Sequence, residues 1–237
     1  MASENSFKNG LRDGLPICFA YLSISFAFGI FALSSGLSAW EALLLSMANV
    51  TSAGQFSAVP IITVGGSFLE LILTQFVINL RYALMSISLT QRFDDKIRLR
   101  DRLLIAFMNT DEIFAVASSK EKKVGKLYMF GLALTPYLGW SLGTLAGAIA
   151  GDILPKMLTD ALGLAIYGMF IAIVLPAAKK EKKTALCVLC AIVLSNLFVY
   201  CPGLNRISDG IRIILCSVTA SLLFAALDCK KGQEASR

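Results

Sequence analysis

The amino-acid sequence predicts an all-α fold: a polytopic membrane helical bundle of about seven spans, forming one transmembrane domain over residues 1–237. Hydrophobic residues make up 56% of the chain and charged residues only 16%, whereas soluble domains carry roughly 25% charged residues. The mean hydropathy is +0.70. Apolar stretches of the length that crosses a bilayer, about 20 residues, recur from end to end. They leave no room for a soluble catalytic domain, so we do not expect an enzyme.

The individual spans follow from these apolar stretches and from the short Gly- and Pro-containing linkers between them. We place the spans at 14–34, 39–64, 67–91, 127–150, 157–178, 184–200 and 210–227. The segment 103–119 is shorter and carries Asp111 and Glu112. It is therefore either a re-entrant or short amphipathic segment, or an eighth span.

Basic residues set the expected orientation, because cytoplasmic loops are enriched in Lys and Arg. If 103–119 does not cross, the clusters at 92–102, 120–126, 179–183 and 230–231 fall on one side. That arrangement has seven spans and an outer N-terminus, and we favour it. If 103–119 crosses, there are eight spans with both ends inside. The C-terminus is cytoplasmic in both.

Arg81 is the one cation deep inside the apolar stretch 67–91. A charge at this depth costs a few kcal/mol and faces a protein interior or a solute path as a rule. Asp111 lies about as far after the polar loop 92–102 as Arg81 lies before it. A hairpin through that loop would pair Arg81 with Asp111 or Glu112. The pair either holds two helices together or belongs to a transport site, and we favour the transport site.

Polar residues also mark the second and third spans. Gln75, Asn79, Tyr82 and Ser86 follow helical spacing on one stripe of the third span. With Arg81 as a clamp for carboxylate, this face suits a zwitterion such as an amino acid. The alternative is polar contact between helices.

In the second span, a polar run around Gly54 and Gln55 precedes Pro60. We expect an interrupted helix there, with Gln55 and Asn79 near one cavity, because broken helices build transporter substrate sites. A simple kink is the alternative.

Small residues suggest how the spans pack. Gly139, Gly143, Gly147 and Gly151 form one row on the fourth span. We expect this row to pack against the first span, near Ser25 and Gly29, or against another subunit. Gly29 and Gly54 are separated by the same interval as Gly143 and Gly168, which hints at an inverted repeat.

The residue types limit the chemistry. The chain has no histidine, so any proton coupling has to use a carboxylate. We assign Asp111 as the partner of Arg81 and Glu112 as the proton carrier. We expect no cofactor, no metal site and no nucleic-acid partner, since no nucleotide-binding motif or soluble basic surface is present.

Several motifs occur in an order that resembles the AzlC family, the large subunits of branched-chain amino acid exporters. They are Gly14-Leu15-Pro16, Ala27-Phe28-Gly29, Ala53-Gly54-Gln55, Asn79-Leu80-Arg81 and Asp111-Glu112. The chain departs from the family pattern at Tyr82, where histidine commonly stands, and around Thr51-Ser52, where a tyrosine is usual.

The resemblance implies proton-driven export of leucine, isoleucine, valine or similar amino acids across the bacterial plasma (inner) membrane. It also implies a small four-helix membrane partner of the AzlD type. An uncoupled channel or facilitator for another small polar solute, or a membrane scaffold subunit, remains the alternative.

Overall fold

The computed structural model describes residues 5–153 and 178–235, together with single positions between 155 and 176. The predicted span 157–178 therefore lies largely outside the described residues. The described chain is helical and contains no β-strand, only an isolated bridge between Phe93 and Val124. It divides into two compact units, Met1–Val59 with Ile78–Ile166 and Pro60–Val77 with Tyr167–Arg237. The helices are α1 (Phe7–Ser34), α2 (Ala39–Ala48), α3 (Ser52–Thr63), α4 (Phe68–Thr90), α5 (Leu99–Phe107), α6 (Asp111–Ser118), α7 (Lys126–Ile153), α8 (Lys182–Tyr200) and α9 (Asp209–Ala235), with a 3-10 turn at Leu204–Arg206.

Within the part of the chain that the structure describes, four helices are long and apolar enough to cross a membrane, and they match four of the predicted spans. They are Phe7–Ser34, Phe68–Thr90, Lys126–Gly151 and Lys182–Tyr200. The helix α9 covers the predicted span 210–227. The predicted second span, by contrast, is divided between α2 and α3, and the segment 103–119 between α5 and α6.

The first unit is built on a parallel pair, α1 and α7, which touch along their whole length through glycines. A Cβ added to Gly10 would lie 2.1 Å from the carbonyl oxygen of Tyr128, and one added to Gly147 would lie 1.9 Å from that of Phe26. Early residues of α1 thus meet early residues of α7, and late residues meet late ones. The predicted packing of the glycine row on the first span is confirmed. Comparable close contacts across this pair are made by Gly14, Gly29, Gly131, Gly139 and Gly143.

We call the end of the first unit where α1 and α7 begin its amino side, and the other end its carboxyl side. The helix α2 starts near the carboxyl side, with a capping box in which Ser38 and Glu41 bond to each other's backbone. Its end reaches the middle of α7, where the Tyr137 hydroxyl donates to the Met47 carbonyl at 3.1 Å. At ten residues, α2 is only about 15 Å long.

The helix α3 runs back towards the carboxyl side. Gln55 donates to Ser46 at 2.7 Å, and Val59, further along α3, shares a buried cluster with Leu37 and Ala42. The segments α2 and α3 are therefore an antiparallel hairpin that returns to the side from which it came.

The interruption between α2 and α3 lies at residues 49–51, earlier than the sequence predicted. Gly54 and Gln55 stand inside α3, and the Gln55 side chain bonds to Ser46 and Trp140. Asn49, Val50 and Thr51 favour other conformations, through side-chain hydrogen bonding or β-branching.

The helices α5 and α6 form a second hairpin, on the amino side. Near the start of this hairpin, Asp101 of α5 lies 2.7 Å from Lys126, the first residue of α7. The hydrogen bond from Lys126 holds the pKa of the Asp101 carboxyl below its ordinary value. Its far end lies beside the middle of α7, where the rings of Phe107 and Tyr137 are 6.3 Å apart. After α6 the chain is again near the start of α1, with Lys120 2.7 Å from Asp13. The segment 103–119 thus follows the re-entrant alternative.

These contacts correct both topologies drawn from the sequence. Asn5 donates to the Lys123 carbonyl at 3.0 Å, and the Val124 N–H donates to the Arg92 carbonyl at 2.8 Å. The N-terminus and the loops 91–98 and 119–125 therefore share the amino side. Each sequence topology had the N-terminus opposite the loop 92–102. The physical reason is that the second predicted span turns back instead of crossing, which changes the side on which every later loop lies.

Within the second unit, a carboxylate caps a helix. Glu70 is 9% exposed, and its Oε1 accepts a hydrogen bond from the backbone N–H of Gly210 at 3.0 Å. Negative charge is stabilising at a helix N-terminus, and Gly210 is the second residue of α9. Glu70 therefore has a structural partner in this unit.

Candidate functional site

The two hairpin interruptions lie at the middle depth of the first unit, among polar side chains of the long helices. Residues 49–51 interrupt α2–α3, and residues 108–110 interrupt α5–α6. Between the two interruptions lie the side chains of Tyr21, near the middle of α1, and of Arg81 and Tyr82, near the middle of α4. The first residues of α6 lie there too. Non-helical backbone at such depth is tolerated only where it is buried in protein or lines a cavity.

Arg81 and Asp111 form an ion pair, with Nη2 3.1 Å from Oδ2. Arg81 also donates to the Tyr82 hydroxyl at 2.9 Å, and that hydroxyl lies 3.5 Å from Oδ2 of Asp111. The contact expected from the sequence is present, and Asp111 is the member of the acidic pair that makes it. The part that these residues play in substrate binding or proton coupling stays a prediction.

Glu112 has a different partner. Its carboxylate accepts a short hydrogen bond from the Tyr21 hydroxyl, while the residue as a whole is exposed. Neighbouring residues on a helix point about 100° apart, so Asp111 and Glu112 face different elements, α4 and α1. One carboxylate of the pair is thus neutralised by an arginine, and the other is held by a neutral hydroxyl.

Gln55 belongs to a buried chain of hydrogen bonds. Trp140 donates to its Oε1 at 2.9 Å, its Nε2 donates to Ser46 at 2.7 Å, and Ser46 lies 2.6 Å from the Thr144 hydroxyl. Gln55, Ser46 and Thr144 are each 0% exposed. This chain fixes α2 and α3 against α7. The predicted role of Gln55 in substrate binding stays a prediction, with both ends of its amide already engaged.

Each interruption contains one buried polar atom that lacks a hydrogen-bond partner. In the first it is Oγ1 of Thr51, and in the second it is Oδ1 of Asn109. The two residues are 5% and 4% exposed. The Asn109 amide nitrogen donates to Ser86 at 3.3 Å. Buried polar groups are paired in the great majority of native structures, so each of these atoms is a place for a ligand or a water molecule.

The other predicted substrate residues lie elsewhere. Gly54 is buried in α3, and its carbonyl accepts from Ser57 at 2.8 Å. Asn79 is partly buried in α4, and Gln75, also partly buried, belongs to the second unit. Of two cavities among the described residues, of about 560 and 240 Å³, neither is lined by Gln55 or Asn79. Neither cavity supports the expectation that Gln55 and Asn79 lie near one cavity.

Three residues at this depth were missed by the sequence reasoning: Tyr21, Asn109 and Trp140. Two of them had a readable signal. Asn109-Thr110 precedes an acidic pair, which is the pattern of a helix start, and Thr110 does cap α6 by accepting from the Ile113 N–H. A buried tryptophan N–H needs an acceptor, and the amide oxygen of Gln55 was a candidate acceptor in the sequence. Across the described residues, no cluster of three or more His, Cys, Asp or Glu suits a metal ion.

The ordered motifs now have a common structural place, since they line α1, the two hairpins and α4 in one unit. A comparison with protein families is decisive: the family described as "AzlC protein" matches residues 16–154. The chain belongs to the AzlC family. The matched residues run from α1 to the end of α7, so the family region contains the parallel pair, both hairpins and the Arg81–Asp111 ion pair.

Relatives in the AzlC family carry names of membrane proteins. The chain is 31% identical over 195 residues to "Inner membrane protein YgaZ" of Escherichia coli (strain K12), covering 79% of each chain. It is 33% identical to an "Uncharacterized membrane protein" of Archaeoglobus fulgidus, over 76% of this chain and 79% of the relative. It is 25% identical to "Branched-chain amino acid transport protein AzlC" of Bacillus subtilis (strain 168), over 75% of this chain and 70% of the relative. No solved structure matches the chain.

Proposed function

We propose that the chain is a secondary active transporter that exports branched-chain or similar apolar amino acids, driven by the proton gradient. The observation that carries the proposal is the Arg81–Asp111 ion pair, 3.1 Å long, beside two helix interruptions at the middle depth of the unit. Transporter substrate sites are commonly built from interrupted helices near the bilayer midplane. The Bacillus subtilis relative, named for branched-chain amino acid transport, supports the class of cargo.

The exposure of the ion pair supports a solute path. The side chains of Arg81 and Asp111 are 51% and 46% exposed in the chain alone. Lipid does not solvate charges, and ionisable residues inside a membrane face a bundle interior or a water-filled cavity. We propose that this exposed part faces the path of the amino acid. We propose further that a small four-helix AzlD-type subunit completes the enclosure, on the strength of the family resemblance.

Proton coupling is assigned to Glu112. Its exposed carboxylate reaches the path, and its hydrogen bond to the Tyr21 hydroxyl leaves it without a permanent counter-charge among the contacts described. Asp111 already pairs with Arg81, so we assign it to the ion pair and not to proton transfer.

The amino side of the first unit is proposed to face the cytoplasm of a bacterial plasma (inner) membrane, with the C-terminus also inside. The loops on that side carry many Lys and Arg residues, whereas the connections at 35–38 and 64–67 carry none. This asymmetry agrees with the positive-inside rule.

The test is flux in proteoliposomes that contain the purified chain, alone and with the co-expressed small subunit. Labelled valine, leucine, isoleucine and methionine are compared, with and without an imposed pH gradient. We expect one or more of these amino acids to accumulate against its gradient only when the pH gradient is present. Flux that ignores the pH gradient would identify an uncoupled facilitator. Absence of flux under all conditions would favour a scaffold subunit and overturn the proposal.

A further inference from the structure

The two hairpin interruptions differ in the hydrogen-bonding groups that they offer. The α2–α3 interruption presents donors: the Thr51 hydroxyl and, beside it, the Tyr82 hydroxyl. The α5–α6 interruption presents acceptors: Oδ1 of Asn109, which has no partner, and the exposed Glu112 carboxylate a few residues on. An α-amino acid needs acceptors for its ammonium group and donors for its carboxylate, so the two sets of groups complement its two ends.

The donor side includes a helix start. The helix α3 begins at Ser52 and is 12 residues long. The first N–H groups of a helix lack acceptors within the helix, and together with the helix dipole they favour an anion. Thr51 immediately precedes this start and is 5% exposed. Its hydroxyl lies beside that of Tyr82 and has no partner at ordinary hydrogen-bond geometry. A buried hydroxyl of this kind is a second polar group, besides the helix start, that is open to a ligand.

The start of α6 does not compete for the same anion. Its first turn carries Asp111 and Glu112, and its cap position is filled by Thr110, whose side chain accepts from the Ile113 N–H. Negative charge already occupies that helix start. The acidic pair and Asn109 therefore make the α5–α6 side suitable for a cation, and the α2–α3 side suitable for an anion.

Tyr82 connects the two sides. Its hydroxyl accepts from Arg81 at 2.9 Å and lies at 3.5 Å from Asp111, a distance long enough for the hydroxyl hydrogen to turn to another acceptor. Ser86, one helical turn further along α4, receives the Asn109 amide. Thr51 and Asn109 thus both lie next to the stretch of α4 that runs from Tyr82 to Ser86.

Resting on the function proposed above, we propose an orientation for the bound amino acid. Its carboxylate lies at the start of α3, against the hydroxyls of Thr51 and Tyr82. Its ammonium lies at the α5–α6 interruption, against Oδ1 of Asn109 and the carboxylate of Glu112. Arg81, engaged by Asp111, is a positioning residue that orients the Tyr82 hydroxyl.

The test separates the two ends of the ligand. Binding to the purified full chain is measured by displacement of labelled L-valine, or of whichever tested amino acid gives the highest flux. Three competitors are used: the amino acid itself, its amide, which lacks the carboxylate, and the acid without the amino group (3-methylbutanoate for valine). The variants are Thr51→Val and Asn109→Leu, which replace polar atoms by methyl groups at the same branch positions of the side chain.

We expect Thr51→Val to weaken binding of the amino acid about 10- to 150-fold, as for a lost hydrogen bond to a charged group, and to leave the amide within about twofold. Asn109→Leu should weaken the amino acid and the amide alike and leave 3-methylbutanoate unchanged. Thr51→Ser, which keeps the hydroxyl, should restore binding of the amino acid. This conservative variant separates a lost contact from a damaged fold, and each variant is checked by size-exclusion chromatography.

Two outcomes overturn the orientation while leaving the transport proposal intact. In the first, the wild type binds and transports amino acids, but Thr51→Val weakens the amino acid and its amide equally or weakens neither. In the second, Asn109→Leu affects 3-methylbutanoate as strongly as the amide. If the wild type neither binds nor transports any of the amino acids, the transport proposal fails, and the orientation fails with it.

Discussion

At the scale of single residues, the adjacent carboxylates of Asp111 and Glu112 have unlike surroundings. Asp111 pairs with Arg81 at 3.1 Å, and Glu112 accepts from Tyr21. Two carboxylates in unlike surroundings can take unlike roles. The first two predictions separate these roles.

The Arg81 guanidinium is predicted to be essential for transport. Arg81→Ala should reduce amino-acid flux about tenfold or more, because a hydrogen bond to a charged group contributes roughly 1.5–3 kcal/mol and about 1.4 kcal/mol corresponds to a factor of ten. Arg81→Lys keeps the charge but loses the planar fork, so we expect only partial recovery. Initial rates in proteoliposomes check this, with Lys122→Ala in an exposed loop as the control. Unchanged flux in Arg81→Ala would remove the ion pair from the transport site.

Glu112 is predicted to carry the proton. Glu112→Gln keeps the shape of the side chain and its contact with Tyr21 but cannot release a proton. We expect this variant to bind the amino acid more weakly, because an amide replaces the carboxylate that faces the ammonium. It should still exchange the amino acid across the membrane, while losing accumulation driven by a pH gradient. The flux of this variant should no longer depend on the external pH. The control Glu121→Gln, in a loop on the amino side, should behave as the wild type. Full gradient-driven accumulation by Glu112→Gln would move the coupling site elsewhere.

At the scale of helices, the α1–α7 contact depends on the absence of side chains. A Cβ on Gly147 would lie 1.9 Å from a backbone oxygen of Phe26, whereas one on Gly151 would lie 3.3 Å from the end of the Leu33 side chain, which can move. Gly147→Ala should therefore force the helices apart and destabilise the fold by about 1–3 kcal/mol or more. Gly151→Ala is the matched control and should be close to neutral. Thermal unfolding of the detergent-solubilised protein checks this, and equal melting temperatures for the two variants would contradict the packing.

The hairpins make a prediction about sides of the membrane. If α2–α3 turns back, Ser35 and Thr63 lie on the same side, and if residues 39–64 formed one crossing span, they would lie on opposite sides. Single cysteines are introduced as Ser35→Cys, Thr63→Cys and Lys122→Cys in a variant without the native cysteines. An impermeant maleimide applied to intact cells should label positions 35 and 63, and should reach position 122 only after permeabilisation. Labelling of only one of the first two positions in intact cells would restore the crossing span.

At the scale of the whole chain, the distribution of basic residues predicts where the C-terminus lies. The clusters at 92–102, 120–126, 179–183 and 230–231 are expected to share the cytoplasmic side. A C-terminal fusion to green fluorescent protein should be fluorescent, since that protein folds in the cytoplasm, and a fusion to alkaline phosphatase should be inactive. An active phosphatase fusion would require a different number of crossings after α7.

The sequence by itself determined the class of the molecule and one of its ion pairs. Apolar length is a local property, so α1, α4, α7 and α8 were predictable as long helices. The Arg81–Asp111 contact was predictable because a buried charge requires a counter-charge at the same depth, and the chain offers few. The glycine row on α7 likewise predicted a closely packed neighbouring helix.

Only the tertiary structure showed which apolar stretch turns back on itself. Residues 39–64 are long enough for a span, but Gln55 bonds to Ser46 and Trp140, and these contacts fold the stretch back on itself. The unpartnered atoms of Thr51 and Asn109 were equally hidden, because whether a polar side chain is satisfied depends on neighbours that are distant in the sequence. Composition and periodicity specify what a segment can do in a membrane, and long-range hydrogen bonds select among the possibilities.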